Sequence, residues 1–351
     1  MRNVVRVAAY VPSTVADGVP VGAPDEDEFT FAATAMEHAW FGRRDEPGAV
    51  AVHLLGKFPP VVEWGFSPLL GRATRVVHHP ADSGELASTL RELEEDAGGP
   101  AFMVGAELPE RGRVRSGRSP GRGAAAFAYL LEDSETPSPL PLPKSPATRS
   151  AVTTTMKFGS FPEELPRSVT LVGDWDPRVA GGPSIDRKLL GKFEETNLDA
   201  VSEGAYVPHA RYLENLPSRW RFVAESCAAC AGTTFPARGV CRQCGRRDKL
   251  TALALPYEGG RVVAVTTVGK GGQPTEFDAQ VATFGPYDVA LVELARGMRV
   301  TLQVTDAPPG TVRVGGRVDT RLRRLYPMEG EWRYGRKAVP VAPHRVPTAG
   351  T

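Results

Sequence analysis

Apolar residues recur along this chain in two rhythms. In "VVRVAAYVP" (4–12) and "GAVAVHLLG" (48–56) they run or alternate over the length of a strand and stop at Pro12 and Gly56, so both segments read as strands. "DEDEFTFAATAMEHAWFG" (25–42) opens with acidic residues and then places apolar residues at helical spacing, which predicts a helix beginning after Asp25. "SGELASTLRELEEDAGG" (83–99) starts on a Ser83 cap supported by Glu85 and ends in glycines, a second helix. "PAFMVGAEL" (100–108) and "GAAAFAYLLED" (123–133) are continuous apolar runs of the kind buried in a two-sided sheet. The order is α/β, with both faces of a sheet covered.

The rhythm changes after residue 250. "ALALPYEGGRVVAVTTVGK" (252–270), "YDVALVELARGMRVTLQVTD" (287–306) and "VGGRVDTRLRRLYP" (314–327) are rich in β-branched residues with a period of two and are punctuated by glycine and proline. Short strands with such turns predict a small antiparallel barrel. Between the two regions, "EDSETPSPLPLPKSPATRS" (132–150) is too rich in Pro and Ser for packed structure and reads as a linker.

Composition narrows the function. At 351 residues, with 41% hydrophobic and 24% charged residues, the chain has the make-up of a globular protein of about two domains. A formal net charge of +1 argues against a generic nucleic-acid binder. No apolar run is long enough to span a bilayer, and the first residues lack a signal-peptide pattern, so the expected location is the cytoplasm.

All four cysteines fall between residues 227 and 244. Cys227 and Cys230 form one C-x-x-C, Cys241 and Cys244 a second, with ten residues between the pairs. Two such knuckles can bring four thiolates onto one tetrahedral ion at about 2.3 Å. The glycines after each pair, Gly232 and Gly245, fit a backbone that turns back toward the sulfurs. A four-thiolate site has no open position for water or substrate, so its metal is structural. Zinc is the expected ion, with a rubredoxin-like iron as the alternative. Redox C-x-x-C motifs occur singly at helix starts and do not fit this loop.

The ribbon with its flanks, "FPARGVCRQCG", "GGRVVAVTTV", "GPYDVALVELARGMRVTLQV" and "VRVGGRVDTRLRRLYP", resembles the zinc-ribbon plus OB-fold family associated with acyl-CoA enzymes, from about Tyr212 to about Pro340. That resemblance implies a non-catalytic subunit docking on a thiolase-superfamily partner and helping to form its acyl-CoA site. Arg238, Arg242, Arg246 and Arg247 are then candidates to grip the phosphates of coenzyme A, since guanidinium groups suit bidentate phosphate contact. The other reading of these arginines is a solvated basic face. OB-folds also bind single-stranded nucleic acid through aromatics set among basic residues. Here Phe277, Phe284 and Tyr287 cluster around one loop, and the strands carry Val, Leu, Ala and Thr.

The N-terminal blocks "VVRVAAYVPSTVADG", "GAPDEDEFTFAATAMEHAW", "AVAVHLLGKFPPVVEWGFSPLLG", "PAFMVGAELPE" and "GRGAAAFAYLLED" resemble, in order, the first half of a thiolase-fold enzyme, nearest to 3-hydroxy-3-methylglutaryl-CoA synthase. That family has its nucleophilic cysteine in an Ala-Cys-Lys-Ala-Gly-Thr type motif. This chain has "VVHHPADSGEL" there and no cysteine before Cys227. Acyl transfer in the superfamily needs an activated thiolate, so the half-domain is expected to be a pseudoenzyme. A non-cysteine nucleophile among His78, His79, Asp82 and Ser83 would make the chain an acyltransferase on its own. Residues so close in sequence seldom hold triad geometry among themselves. His38 reads as a packed or partly exposed residue of the first helix.

The expected organisation is a thiolase-like α/β half-domain at 1–132, a linker at 133–150, a helical or irregular connection at 151–219 and a zinc ribbon at 220–250. An OB-fold at 251–340 and a flexible tail at 341–351 complete it. In the connection, Trp175 packs either on a partner or as a cap on the first domain. A half sheet leaves an apolar face to cover, which implies a hetero-oligomer with a thiolase- or synthase-like subunit in Claisen-type acyl-CoA chemistry.

Overall fold

The structure is a computed structural model that describes residues 2–10, 12, 15–16, 19–20, 22–40, 48–79, 99–108, 125–133, 169–172, 189, 193, 207–328 and 330–341. Two compact units divide the chain. The first takes residues 1–200 together with 322–333, and the second takes 201–321 and 334–351.

The first unit is built on a six-stranded sheet. Its strands are β1 (Arg2–Tyr10), β4 (Val50–Leu55), β5 (Thr74–His79), β6 (Ala101–Glu107), β7 (Ala125–Asp133) and β8 (Val169–Val172), in the order β5-β4-β6-β7-β1-β8. β4 runs parallel to β5 and β6, β7 is antiparallel to β6 and β1, and β8 is parallel to β1. A separate two-stranded ladder joins β2 (Val15–Ala16) to β3 (Val19–Pro20). Ala101, Phe102, Met103 and Val104 of β6 and Ala126 to Ala128 of β7 are all 0% exposed. Consecutive strand residues face opposite ways, so both faces of the sheet centre are covered.

Helix α1 (Glu28–Ala39) packs on β7, β1 and β6. Its start is fixed by a capping box: the Asp27 carboxylate accepts from the Thr30 N–H at 2.9 Å, and the Thr30 hydroxyl accepts from the Asp27 N–H at 2.9 Å. Helix α2 (Val62–Leu70) follows Pro59 and Pro60 and ends at Gly71, whose left-handed φ of 69° lets its N–H turn back to the Ser67 carbonyl. A Cβ on Gly65 of α2 would meet the Phe29 ring at 2.7 Å, so the missing side chain sets the approach of α2 to α1. Burial of each such Phe or Leu contributes about 1.5–3 kcal/mol.

The α/β half-domain plus ribbon and OB-fold expected from the sequence is the architecture observed, with additions. The pattern did not announce α2, β5 or β8. Ser83 and its helix, Asp82, the Pro/Ser-rich segment after Asp133, Trp175 and the last ten residues lie outside the described residues. Among the described residues the exposed large hydrophobics are Leu189, Leu213 and Val314.

The second unit opens with α3 (His209–Glu214) and α4 (Leu216–Arg221), which lead into a three-stranded ribbon of order β10-β9-β11, made of β9 (Val223–Cys227), β10 (Thr233–Thr234) and β11 (Leu250–Ala254). The barrel follows as β14-β13-β12-β15-β16: β12 (Gly260–Val268), β13 (Tyr287–Glu293), β14 (Arg299–Gln303), β15 (Arg317–Met328) and β16 (Glu331–Pro340). A parallel bridge between Val304 and Ala338 joins the two ends of that sheet. A short helix α5 (Asp278–Phe284) sits between β12 and β13.

One core serves ribbon and barrel. Phe222 and Ala224 beside and within β9 pack with Val262, Ala290, Val292, Leu302, Val318 and Ala338. Trp220, fully buried, donates from its ring nitrogen to the Tyr334 carbonyl at 2.9 Å, and the Tyr212 hydroxyl bonds the same residue's backbone. Arg336 stacks over Tyr257 at 3.8 Å and donates to the Trp220 carbonyl. β15 carries the chain across the division between the units at Arg321 and Leu322, and the hairpin tip 322–333 belongs to the first.

Candidate metal centre

The two knuckles have the same backbone. In the first, the Cys227 N–H donates to the Gly232 carbonyl at 2.9 Å and the Ala231 N–H to the Cys227 carbonyl at 2.8 Å. In the second, the Cys241 N–H donates to the Arg246 carbonyl at 2.8 Å and the Gly245 N–H to the Cys241 carbonyl at 3.0 Å. The residue after each second cysteine is left-handed, Ala231 at φ 58° and Gly245 at 73°. Gly245 therefore has the turning role expected of it. Gly232 does not occupy that position; its Cβ would sit 3.2 Å from the Cys230 sulfur and 2.6 Å from the Gln243 side-chain oxygen.

β9 and β10 hold one knuckle against the other. The Glu225 carboxylate accepts from the Arg238 and Gly239 N–H groups, each at 2.9 Å, and the Thr234 hydroxyl accepts from the Arg242 N–H at 3.1 Å. The four sulfurs then lie within 4.8 Å of one another. Cys227 to Cys244 is 3.7 Å and Cys230 to Cys241 is 3.6 Å. A tetrahedron of thiolates about 2.3 Å from one ion has edges of about 3.8 Å, so this cluster is compatible with a structural metal such as zinc.

Cys230 and Cys241 are shifted in opposite directions from the ordinary thiol value. The Cys244 and Gln243 N–H groups draw Cys241 down to about 7 against the effect of burial. At Cys230 the Gly232 N–H has the largest effect and lowers the thiol, but the sulfurs of Cys244, Cys241 and Cys227 and burial together push it up to about 12. Sulfurs this close resist joint ionisation, and a cation among them removes that penalty. Cys227 and Cys241 are 1% and 2% exposed, Cys230 is partly buried and Cys244 is exposed.

Arg238, Arg242, Arg246 and Arg247 are all exposed on the ribbon. Arg246 reaches Asp248 at 3.6 Å, with both side chains more than half exposed, an ion pair worth roughly 0–1 kcal/mol.

His78 and His79 do not share a site. Neighbours on β5, they point to opposite faces of the sheet. His78 bonds Glu63 of α2 at 2.7 Å, and His79 bonds His53 of β4 at 2.9 Å with the rings stacked. The His53–His79 pair escaped the sequence reading because it depends on the register that sets Leu55 against His79. On the barrel, the Phe277 and Tyr287 rings contact each other at 5.7 Å, and Tyr287 is 7% exposed, so it offers no open stacking face.

A family model described as the C-terminal OB-fold domain of ChsH2 matches residues 256–323. A DUF35 domain-containing scaffold protein of Methanothermobacter thermautotrophicus is 31% identical over 115 residues, covering 33% of this chain and 81% of that protein. Among solved structures, the "Ltp2-ChsH2(DUF35) aldolase" is similar at 23% identity and a TM-score of 0.29, over 40% of this chain and 97% of that one. MvaS in complex with 3-hydroxy-3-methylglutaryl coenzyme A is similar at 18% identity and a TM-score of 0.30, over 37% of this chain and 40% of that one.

Proposed function

The chain belongs to the family of DUF35 domain-containing scaffold proteins, and from that membership we propose that it is a non-catalytic subunit of an acyl-CoA complex. It docks on an active thiolase- or synthase-like chain, which supplies the nucleophilic cysteine for Claisen-type carbon–carbon bond formation or cleavage. One observation carries this reading: every cysteine of the chain lies in one closed cluster in the ribbon, so no thiol remains for the α/β unit. The similar archaeal proteins are themselves described as scaffold proteins. No helix among the described residues is long and apolar enough to cross a membrane, and four unpaired cysteines suit a reducing, cytoplasmic compartment.

Cys227, Cys230, Cys241 and Cys244 hold zinc in preference to iron in this proposal. The ion supplies a cross-link between the knuckles and no chemistry on substrate. The exposed Arg238, Arg242, Arg246 and Arg247 are available to the phosphates of an acyl-CoA shared with the partner. Affinity purification of the full chain from its source, with the partner identified by mass spectrometry, tests the subunit reading. A co-purifying thiolase-superfamily chain whose turnover depends on this protein is expected. Acyl transfer by the purified chain alone would overturn the proposal. Arg246→Ala and Arg247→Ala test the phosphate contact separately, since unchanged CoA affinity of the complex would remove it.

A further inference from the structure

We propose that Cys244 is an oxidation site that unlocks the ribbon: a peroxide converts its sulfur to a sulfenic acid, Cys227 captures that sulfur as a disulfide, and the metal leaves. The inference goes beyond the subunit role and rests on the reading of the four cysteines as a metal centre.

The knuckles are alike in backbone but their sulfurs differ in exposure. Each contributes one buried sulfur, Cys227 or Cys241, and one outer sulfur, Cys230 or Cys244. Of the outer pair, Cys230 is partly buried and receives the Gly232 N–H, whereas Cys244 is exposed. Cys241 likewise receives the Gln243 and Cys244 N–H groups. Cys244 is also flanked by exposed residues, from Arg242 and Gln243 before it to Lys249 after it, so that its sulfur is the one of the four open to a dissolved oxidant.

The second step has its partner in place. Cys227 is 3.7 Å from Cys244, and a disulfide at about 2.05 Å needs the sulfurs to close by less than 2 Å once no ion stands between them. In the first step the Cys244 thiolate attacks one oxygen of hydrogen peroxide. A sulfur–oxygen bond forms, the oxygen–oxygen bond breaks, and hydroxide leaves and takes a proton to become water. In the second, the Cys227 thiolate attacks the Cys244 sulfur, the sulfur–oxygen bond breaks, and a second hydroxide leaves as water. Two thiolates have then lost two electrons to one peroxide, and the ion keeps only Cys230 and Cys241.

The test uses the full chain loaded with zinc, titrated with hydrogen peroxide beside a chromogenic zinc indicator. The expected result is loss of the ion in step with a disulfide joining the Cys227 and Cys244 peptides, reversed by dithiothreitol and fresh zinc. Dimedone added with the peroxide should mark Cys244 first. Cys244→His keeps a zinc ligand at the position and should slow release on the order of tenfold. Release at an unchanged rate in that variant would overturn the proposal, as would first labelling at Cys230 or zinc retained after Cys244 is oxidised. A chain that binds no zinc overturns the metal reading itself, an outcome visible before any peroxide is added.

Discussion

Arg323 and Glu26 meet at 2.9 Å with side chains 0% and 1% exposed. The Tyr10 hydroxyl donates to the same carboxylate and accepts from Arg323 at 2.9 Å, and the Ala23 N–H supplies another donor at 2.8 Å. Beside them, Arg324 donates to the Pro24 carbonyl at 2.7 Å and lies 4.2 Å over Trp332. The hairpin tip 322–333 is thus fastened inside the first unit by paired charge rather than by apolar contact alone.

Removing one member of such a pair leaves the other charged and buried. Glu26→Gln is expected to destabilise the first unit by about 3–5 kcal/mol in denaturant unfolding, and Arg323→Met similarly. The double variant should cost clearly less than the sum. Additive losses would show that the two side chains do not act as a pair.

The knuckles predict opposite effects at equivalent positions. A Cβ on Gly245 meets nothing within 4 Å, so Gly245→Ala costs only the left-handed backbone, about 1–2 kcal/mol. Ala231 already bears that strain, so Ala231→Gly should leave the ribbon as stable or more so. Thermal midpoints of the metal-loaded variants check both.

Gly65→Ala would push a methyl into the Phe29 ring. Overpacking of this kind costs about 1–3 kcal/mol, and adding Phe29→Leu should recover part of it. Full additivity of the two losses in denaturant unfolding would count against the close approach of α1 and α2.

Tyr287 titrates above its ordinary value because burial, and then the nearby Glu276 carboxylate, oppose the phenolate. The folded state therefore keeps this proton after the unfolded chain has lost it. The resulting stabilisation is whole below pH 10 and is lost as pH rises through the folded value. Tyr287→Phe should flatten the alkaline limb of a stability curve. A limb identical to that of the parent protein would assign the decline to other groups.

Chelation should loosen more than the ribbon. β9 carries Cys227 at one end and Ala224 of the shared core within it, so loss of the ion is expected to raise amide exchange in β9, β11 and the adjoining barrel strands. Exchange confined to residues 227–247 would show that the core holds without the metal.

The strands with continuous or alternating apolar residues were legible in the sequence, as was the four-cysteine cluster, because their signals are local. β5 and α2 were not. "TRVVHH" mixes charge with its valines, and Pro68 interrupts the α2 pattern. The arginines of β15 were the harder case. Val318, Thr320 and Leu322 are buried in alternation, and the alternation fails at Arg323 and Arg324, which are buried as well. A sequence rule sends such cations to solvent, and only remote partners explain why they stay inside, Glu26 for Arg323 and the Pro24 carbonyl with the Trp332 ring for Arg324. His53 and His79 were hidden for a related reason, since their meeting depends on how two strands align.

The division of the chain gives the first unit a schedule. Its residues 1–200 leave the ribosome before the barrel is made, and the strand that bears Arg323 follows only after residues 201–321. At about 5–20 residues per second that interval is on the order of ten seconds. Until Arg323 is synthesised, Glu26 has no cation from residues 322–333, so this buried pair of the first unit closes only after the strand that carries its cation has been made.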